Sequence, residues 1–193
     1  MPNTNKVKFG LSNVYYAVAT IGDDGSATYG TPKRLPGAVN LSLDAQGENT
    51  PFYADNIVYW TSSGSAGYEG DFELALIPDD FKKDVMGYKE DSNGILYEPA
   101  SPVTNPFALL FQFEGDKHGV RHVLYNCNAG RAAIESETTT DTTEPKTDTI
   151  PITATSIYNA ATDENIVKSR VTKDDAPYAG WFSDVYTPTG SGE

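Results

Sequence analysis

The chain has 193 residues and a mass of 20.9 kDa, enough for one sizeable core of β type. Its 27 acidic residues against 14 basic ones give a formal charge of -13, which argues against gripping nucleic acid or an anionic membrane by charge. The single cysteine, Cys127, excludes an intrachain disulfide and reads as a small buried strand residue.

Residues 1–8 read as an N-terminal arm. No apolar stretch follows the lysines of MPNTNKVKFG and no run is long enough to cross a bilayer, so a cytoplasmic product outside the signal-peptide route is expected. The many Tyr, Phe and Thr, with 17 Gly and 12 Pro, favour strands separated by turns. A first hairpin is expected from NVYYAVATI and SATYGTPKRL, joined by Gly22-Asp23-Asp24-Gly25, where Asp-Gly supplies the positive φ of a tight reversal. These aspartates lack the spacing and closing Glu of a calcium loop. In AVNLSLDAQG, Val39, Leu41 and Leu43 alternate with Asn40, Ser42 and Asp44. Residues 44–56, polar and broken by Pro51, read as an extended loop before NIVYW resumes a strand.

YEGDFELALI alternates along its length: Tyr68, Phe72, Leu74 and Leu76 share one face, and Glu69, Asp71 and Glu73 the other. Like charges in an unrelieved row repel, and a soluble domain ordinarily interposes a lysine. PDDFKKDVM then predicts a helix of about ten residues, held by packing more than by propensity. Pro78 suits its start, Asp79 and Asp80 its positive end, and Gly87 its stop, while Phe81 and Val85 share the face that lies on the sheet. Residues 88–106, with Asn93-Gly94 and several prolines, read as a loop or small ornament. PFALLFQFEG and VRHVLYNCNAG form the strongest hairpin, with Phe107, Leu109, Phe111 and Phe113 on one face at the expected heart of the core. GRAAIESETTTDTTEPKTDTIPITATSIY reads as two long strands around a polar tip. In the second of them Ile150, Ile152 and Ala154 share a face, and Pro151, lacking a backbone donor, predicts an edge strand or a bulge. Gly180-Trp181-Phe182 and Val185-Tyr186 are expected in a closing strand, followed by a flexible tail over 187–193. Neither a repeat nor a linker divides the chain, so residues 1–193 read as a single domain.

A Walker-type phosphate loop, a dinucleotide glycine pattern, an HExxH helix and a paired CxxC are all missing, so neither catalysis nor a cofactor is expected. His118, His122 and Cys127 fall in a hairpin, where a spacing of four does not converge side chains as on a helix, so surface and strand roles are a better account than a metal site. Glu135 and Glu137 share a strand face and imitate the paired carboxylates of a glycoside hydrolase, yet in so acidic a chain a solvated face explains them as well. Tyr53, Tyr59, Trp60 and Tyr68 keep a carbohydrate-binding β-sandwich open as the alternative function, against the commoner use of such residues in cores and interfaces.

Taken together, GAVNLSLDAQGENTPFYADN, GYEGDFELALIPDDFKKDVMGY, PFALLFQFEGDKHGVRHVLYNCNAGR and GWFSDVY resemble the major tail protein of long-tailed bacteriophages of Gram-positive hosts, in order and spacing from about Lys6 to Tyr186. The resemblance implies a mainly β fold, a β-sandwich or partly closed barrel with one short flanking α-helix, assembled as hexameric rings stacked into a hollow tail tube. It implies a structural virion protein without catalytic residues or cofactors, present in the host cytoplasm during assembly. Its implied partners are further copies of itself, a tape-measure protein and a tail terminator protein; DNA passes through without specific binding and no membrane takes part. The stretch after Tyr186 is too short for the additional immunoglobulin-like domain of some relatives. Within that frame, strands with unsatisfied edges become joints between subunits, and an acidic bore repels phosphate where a basic one would hold it. Glu69, Asp71, Glu73, Glu135 and Glu137 are the candidates for the bore. Pro51, Phe52, Tyr53 and Asp55 are the candidates for contact between stacked rings, since aromatic anchors on a proline-stiffened segment lose little entropy on docking.

Overall fold

The computed structural model describes residues 10–47, 49–54, 56–63, 67–114, 118–134 and 146–190, with the backbone alone for 49–54 and 58–63. Strand β1 (Leu11–Ile21) reverses through the expected turn into β2 (Ala27–Tyr29), the Gly22 amide donating to the Ser26 carbonyl at 2.8 Å. A two-residue strand, β3 (Lys33–Arg34), returns to β1, and β4 (Ala38–Gln46) follows after a short link. Among the described residues strands β5 (Asn49–Ala54) and β6 (Ile57–Ser63) pair only with each other, so the expected loop over 44–56 contains the end of β4 and the first strand of a separate hairpin. The chain comes back as β7 (Gly67–Leu74), antiparallel to β4.

Helix α1 (Asp79–Asp84) has six residues and is shorter than the sequence predicts, because Pro78 stays extended as its N-cap at φ -63 and ψ 143. At the other end the Met86 and Tyr88 amides bond back to the Phe81 and Lys82 carbonyls, while Gly87 at φ 77 turns the chain away. Asp84 accepts from the Tyr16 hydroxyl at 2.8 Å and from Lys33 Nζ at 2.6 Å, tying α1 to β1 and β3. A small ladder, β8 (Lys89–Glu90) with β9 (Leu96–Tyr97), forms the ornament within 88–106. Then come β10 (Phe107–Phe113), β11 (Arg121–Ala129) and β12 (Asp148–Thr155), followed by the short β13 (Ile157–Asn159), β14 (Glu164–Ile166) and β15 (Lys168–Val171).

Among the described residues the main sheet runs β2-β1-β10-β11-β12-β7-β4, all neighbours antiparallel, with β3 added on β1 and β15 on β11. Only Leu35–Gly37 separates β3 from β4, yet the two pair with strands near opposite margins of that order. So short a link forces the sheet to curl, giving a mainly β, partly closed barrel with one short flanking helix. Inside lie Phe72, Leu74, Phe107, Leu109, Ile150 and Ile152, and α1 adds Phe81 and Val85. Phe81 meets Tyr16 and Phe107 edge to face, with centroids 5.0 and 5.4 Å apart. A second cluster covers the outside of β10 and β11, where Ala108, Leu110, Val123 and Tyr125 pack under Trp181. With oil on both faces, every residue from Phe107 to Phe111 is buried, and the strongest hairpin of the sequence is the centre of the fold. A bulge in β11 switches its alternation, sending Leu124 and Cys127 inward and Val123 and Tyr125 outward.

Several expectations are corrected by tertiary context. Strand β12 is interior, flanked by β11 and β7, and not an edge. Pro151 is accommodated because its carbonyl, and hence its missing donor, points to β11, where pairing stops just beyond Ala129 opposite Ile152; the Gly130 amide donates to that carbonyl at 2.8 Å. Leu76 is 68% exposed, since β7 ends at Leu74 and Ile77 takes the buried position. Val39 points to solvent because the register shifts between Ala38 and Asn40. Residues 130–134 hold no strand, and Ile134 is exposed. The closing strand expected near Trp181 is instead a 3-10 turn at Ala176–Tyr178 and further turns. That segment is held by side chains: Trp181 Nε1 donates to the His122 carbonyl at 3.3 Å, and the Arg121 guanidinium lies 3.7 Å over the Tyr178 ring. The described part of the tail is tied as well, with Asn159 Nδ2 donating to the Pro188 carbonyl at 2.8 Å.

Candidate functional site

The alternation of β7 turns Phe72 and Leu74 into the core and leaves Glu69, Asp71 and Glu73 on the outer face. Register then decides what stands beside them. On β4, Asn40, Ser42 and Asp44 lie opposite Glu73, Asp71 and Glu69; on β12, Thr149, Pro151 and Thr153 take the corresponding places. Asn128 of β11 continues the face opposite Thr153. The surface is therefore built of carboxylates, hydroxyls and amides, with no lysine or arginine at any of these positions. Asp44, Glu69 and Asp71 are exposed, and Glu73 is half-buried, receiving a hydrogen bond from the Thr147 hydroxyl.

Like charges directly opposite on antiparallel strands destabilise a sheet, typically by about 0.2–1 kcal/mol a pair. Asp44 and Glu69 are such a pair. A one-residue slip would bury the carboxylates and expose Phe72, so the same pattern that carries the charge also pins the register. Gly70 brings β4 and β7 together: a Cβ there would lie 2.0 Å from the Ser42 carbonyl oxygen. Asp44, where the extended loop is expected to begin, lies within β4, and its alternation with Asn40 and Ser42 is the signal that places it on this face.

The other sequence candidates divide. Glu135, Glu137 and Asp55 lie outside the described residues. Pro51, Phe52 and Tyr53 belong to β5, where Phe52 pairs with Trp60 and Tyr53 with Val58 on either side of a register shift. Cys127 is fully buried, and desolvation pushes its thiol up from 9.0 to about 12. The His122 ring stacks on Phe111 with centroids 5.2 Å apart, and among the described residues no group of three or more His, Cys, Asp or Glu is placed to hold a metal ion. Of the aromatics considered for sugar binding, Tyr68 is half-buried beneath Lys168, whose Nζ lies 4.5 Å from the ring centroid.

The two margins of the sheet are unlike. On one side β2 and β3 are three and two residues long, and β3 is Lys33–Arg34 between Pro32 and Pro36, the short, charged and proline-flanked form that blocks edge pairing. On the other side β4 runs for nine residues with Asp44 as its only charge. Among the described residues no strand pairs with its far edge.

No curated protein matches the chain. A family model described as phage tail tube protein matches residues 2–188. With nearly the whole length matched on a mainly β fold, the chain belongs to the phage tail tube proteins, structural components of the virion tail rather than enzymes.

Proposed function

We propose that copies of this chain join edge to edge into hexameric rings, and that the rings stack into a tube whose bore is lined by the acidic face of β4, β7 and β12. The observation that carries this reading is the placement of Asp44, Glu69, Asp71 and Glu73 on one face, with no lysine or arginine at the paired positions of β4, β7 and β12. Such a face weakens an isolated subunit, and it serves a conduit for DNA: it repels phosphates, whereas a basic lining would hold them through counterion release. Glu135 and Glu137 join the same lining. The free edge of β4 is the ring joint in this reading, because a long, nearly uncharged edge is a hazard in a monomer and an asset once a neighbour pairs with it. The β5–β6 hairpin, with Pro51, Phe52, Tyr53 and Asp55 at its first strand and reversal, contacts the next ring. A tape-measure protein inside the bore and a terminator at its end complete the tail.

The test has two stages. Sedimentation and negative-stain microscopy of the purified chain should show rings and tubes; a protein that remains monomeric at high concentration removes the assembly reading. Tails carrying Glu69→Lys with Asp71→Lys should keep their length and release DNA more slowly in an ejection assay. Unchanged release removes the bore assignment.

A further inference from the structure

The ladder of β8 and β9 closes through Asn93-Gly94, the one place in the chain where glycine follows asparagine. An amide in that position is a chemical liability. The Gly94 nitrogen can attack Asn93 Cγ, since the glycine has no side chain to obstruct the approach. The new C–N bond closes a cyclic imide, the Cγ–Nδ2 bond breaks, and ammonia leaves. Water then opens the imide at either carbonyl, giving aspartate or an isoaspartate whose main chain runs through Cβ and Cγ. Water is gained and ammonia lost, with no change of oxidation state. The fold cannot dispense with the glycine, because Gly94 ends the hairpin loop at φ 79, in the left-handed region.

Both reacting groups are held by a single residue. The Gly94 amide donates to the Asp91 carbonyl at 3.1 Å, and Asn93 Nδ2 donates to Asp91 Oδ2 at 3.3 Å. The other carboxylate oxygen, Oδ1, accepts from the Asn93 and Ile95 amides, each at 2.8 Å. The Asp91 amide donates in turn to the Ile95 carbonyl at 3.0 Å, so the loop is tied at every corner. Bonds from the Ile95 and Asn93 amides hold the Asp91 carboxyl below its ordinary range, which keeps it ionised at neutral pH. Its charge flanks the Gly94 amide and opposes the loss of the proton that precedes attack. Asp91 to Ile95 are all exposed, so water is at hand and burial protects none of them.

We infer that Asn93 is a site of spontaneous deamidation, and that Asp91 is the positioning residue that restrains it, pinning the nucleophile through its carbonyl and the leaving amide through its carboxylate. A component of the virion tail is not replaced once the particle is assembled, so the lifetime of this bond is part of the lifetime of the tail. Conversion to isoaspartate would add a main-chain carbon next to the Glu90–Leu96 pair and set a new carboxylate against Asp91. The contact of Glu90 with Lys83 of α1, at 3.0 Å, would loosen with it.

The experiment incubates the full chain at mildly alkaline pH, native or in guanidinium chloride, and follows Asn93 by peptide mass mapping and isoaspartate content. Native wild-type protein should convert at least about tenfold more slowly than the denatured chain, the worth of one charge-assisted hydrogen bond. Asp91→Ala should lose most of that protection while the urea midpoint of the whole domain stays unchanged. Asp91→Asn, which keeps an oxygen acceptor at the same place, should retain more of the protection than Asp91→Ala. Equal rates in native and denatured wild-type protein overturn the inference without recourse to any variant. A folded Asp91→Ala protein that converts as slowly as its parent overturns it as well.

Discussion

Neutralising part of the acidic face should make the isolated subunit more stable. In the triple variant Asp44→Asn, Glu69→Gln, Asp71→Asn, the directly opposed pair Asp44–Glu69 and their neighbour Asp71 lose their mutual repulsion, and Asp71 no longer repels Glu73, which holds the Thr147 hydroxyl and is left in place. Directly opposed carboxylates stand about 5 Å apart and repel by about 0.8 kcal/mol in bulk water; the Glu69–Asp71, Asp44–Asp71 and Asp71–Glu73 pairs, at about 7 Å, each add about 0.6 kcal/mol. Screening over a Debye length of about 8 Å reduces the sum to about 1.2 kcal/mol at physiological salt, and near 0.01 M salt it stays at about 2 kcal/mol. For a domain of this size 1 kcal/mol corresponds to a rise in Tm of about 2–4 °C. Urea denaturation should therefore show a higher midpoint with an unchanged slope, under conditions where sedimentation reports monomer, and the gain should shrink as salt is added. A variant no more stable than its parent at low salt, or a gain that grows with salt, would refute the claim that these carboxylates crowd one surface.

Gly70→Ala should unfold the sheet margin, because the added methyl would sit 2.0 Å from the Ser42 carbonyl oxygen; a loss of about 3 kcal/mol is expected from urea midpoints, and a neutral substitution would contradict the close approach of β4 and β7. Val39→Lys, at a position 50% exposed on β4, with whose outer edge no described strand pairs, should leave monomer stability within about 0.5 kcal/mol and abolish rings in sedimentation; intact rings would move the joint to another edge. The Cys127 thiol should resist a thiol reagent at neutral pH until the chain is denatured. Since burial raises its pKa from 9.0 to about 12, the native state keeps a proton that the unfolded chain gives up, so this thiol's contribution to stability is whole below pH 9 and falls as the pH rises across that interval. Equal reactivity in native and denatured protein would show that the site is open.

The sequence alone determined what depends on near neighbours along the chain. The period of two in Tyr68 to Leu74 and in Phe107 to Phe113 sets which side chains share a face, and Gly22–Gly25 makes a reversal whatever surrounds it. Phe81 and Val85 share a helical face by spacing alone. The tertiary structure decided which strand lies beside which. Pro151 sits in an interior strand because its missing donor falls where β11 stops pairing, a fact about residue 130 that no local pattern contains. Asp44 joins the acidic face only through its register with Glu69, and Trp181 is buried by aromatic packing on β10 and β11 rather than by a strand of its own. Alternation is a property of one strand, but sheet order is set by contacts between residues far apart in sequence, whose free energy comes from burying two faces against each other.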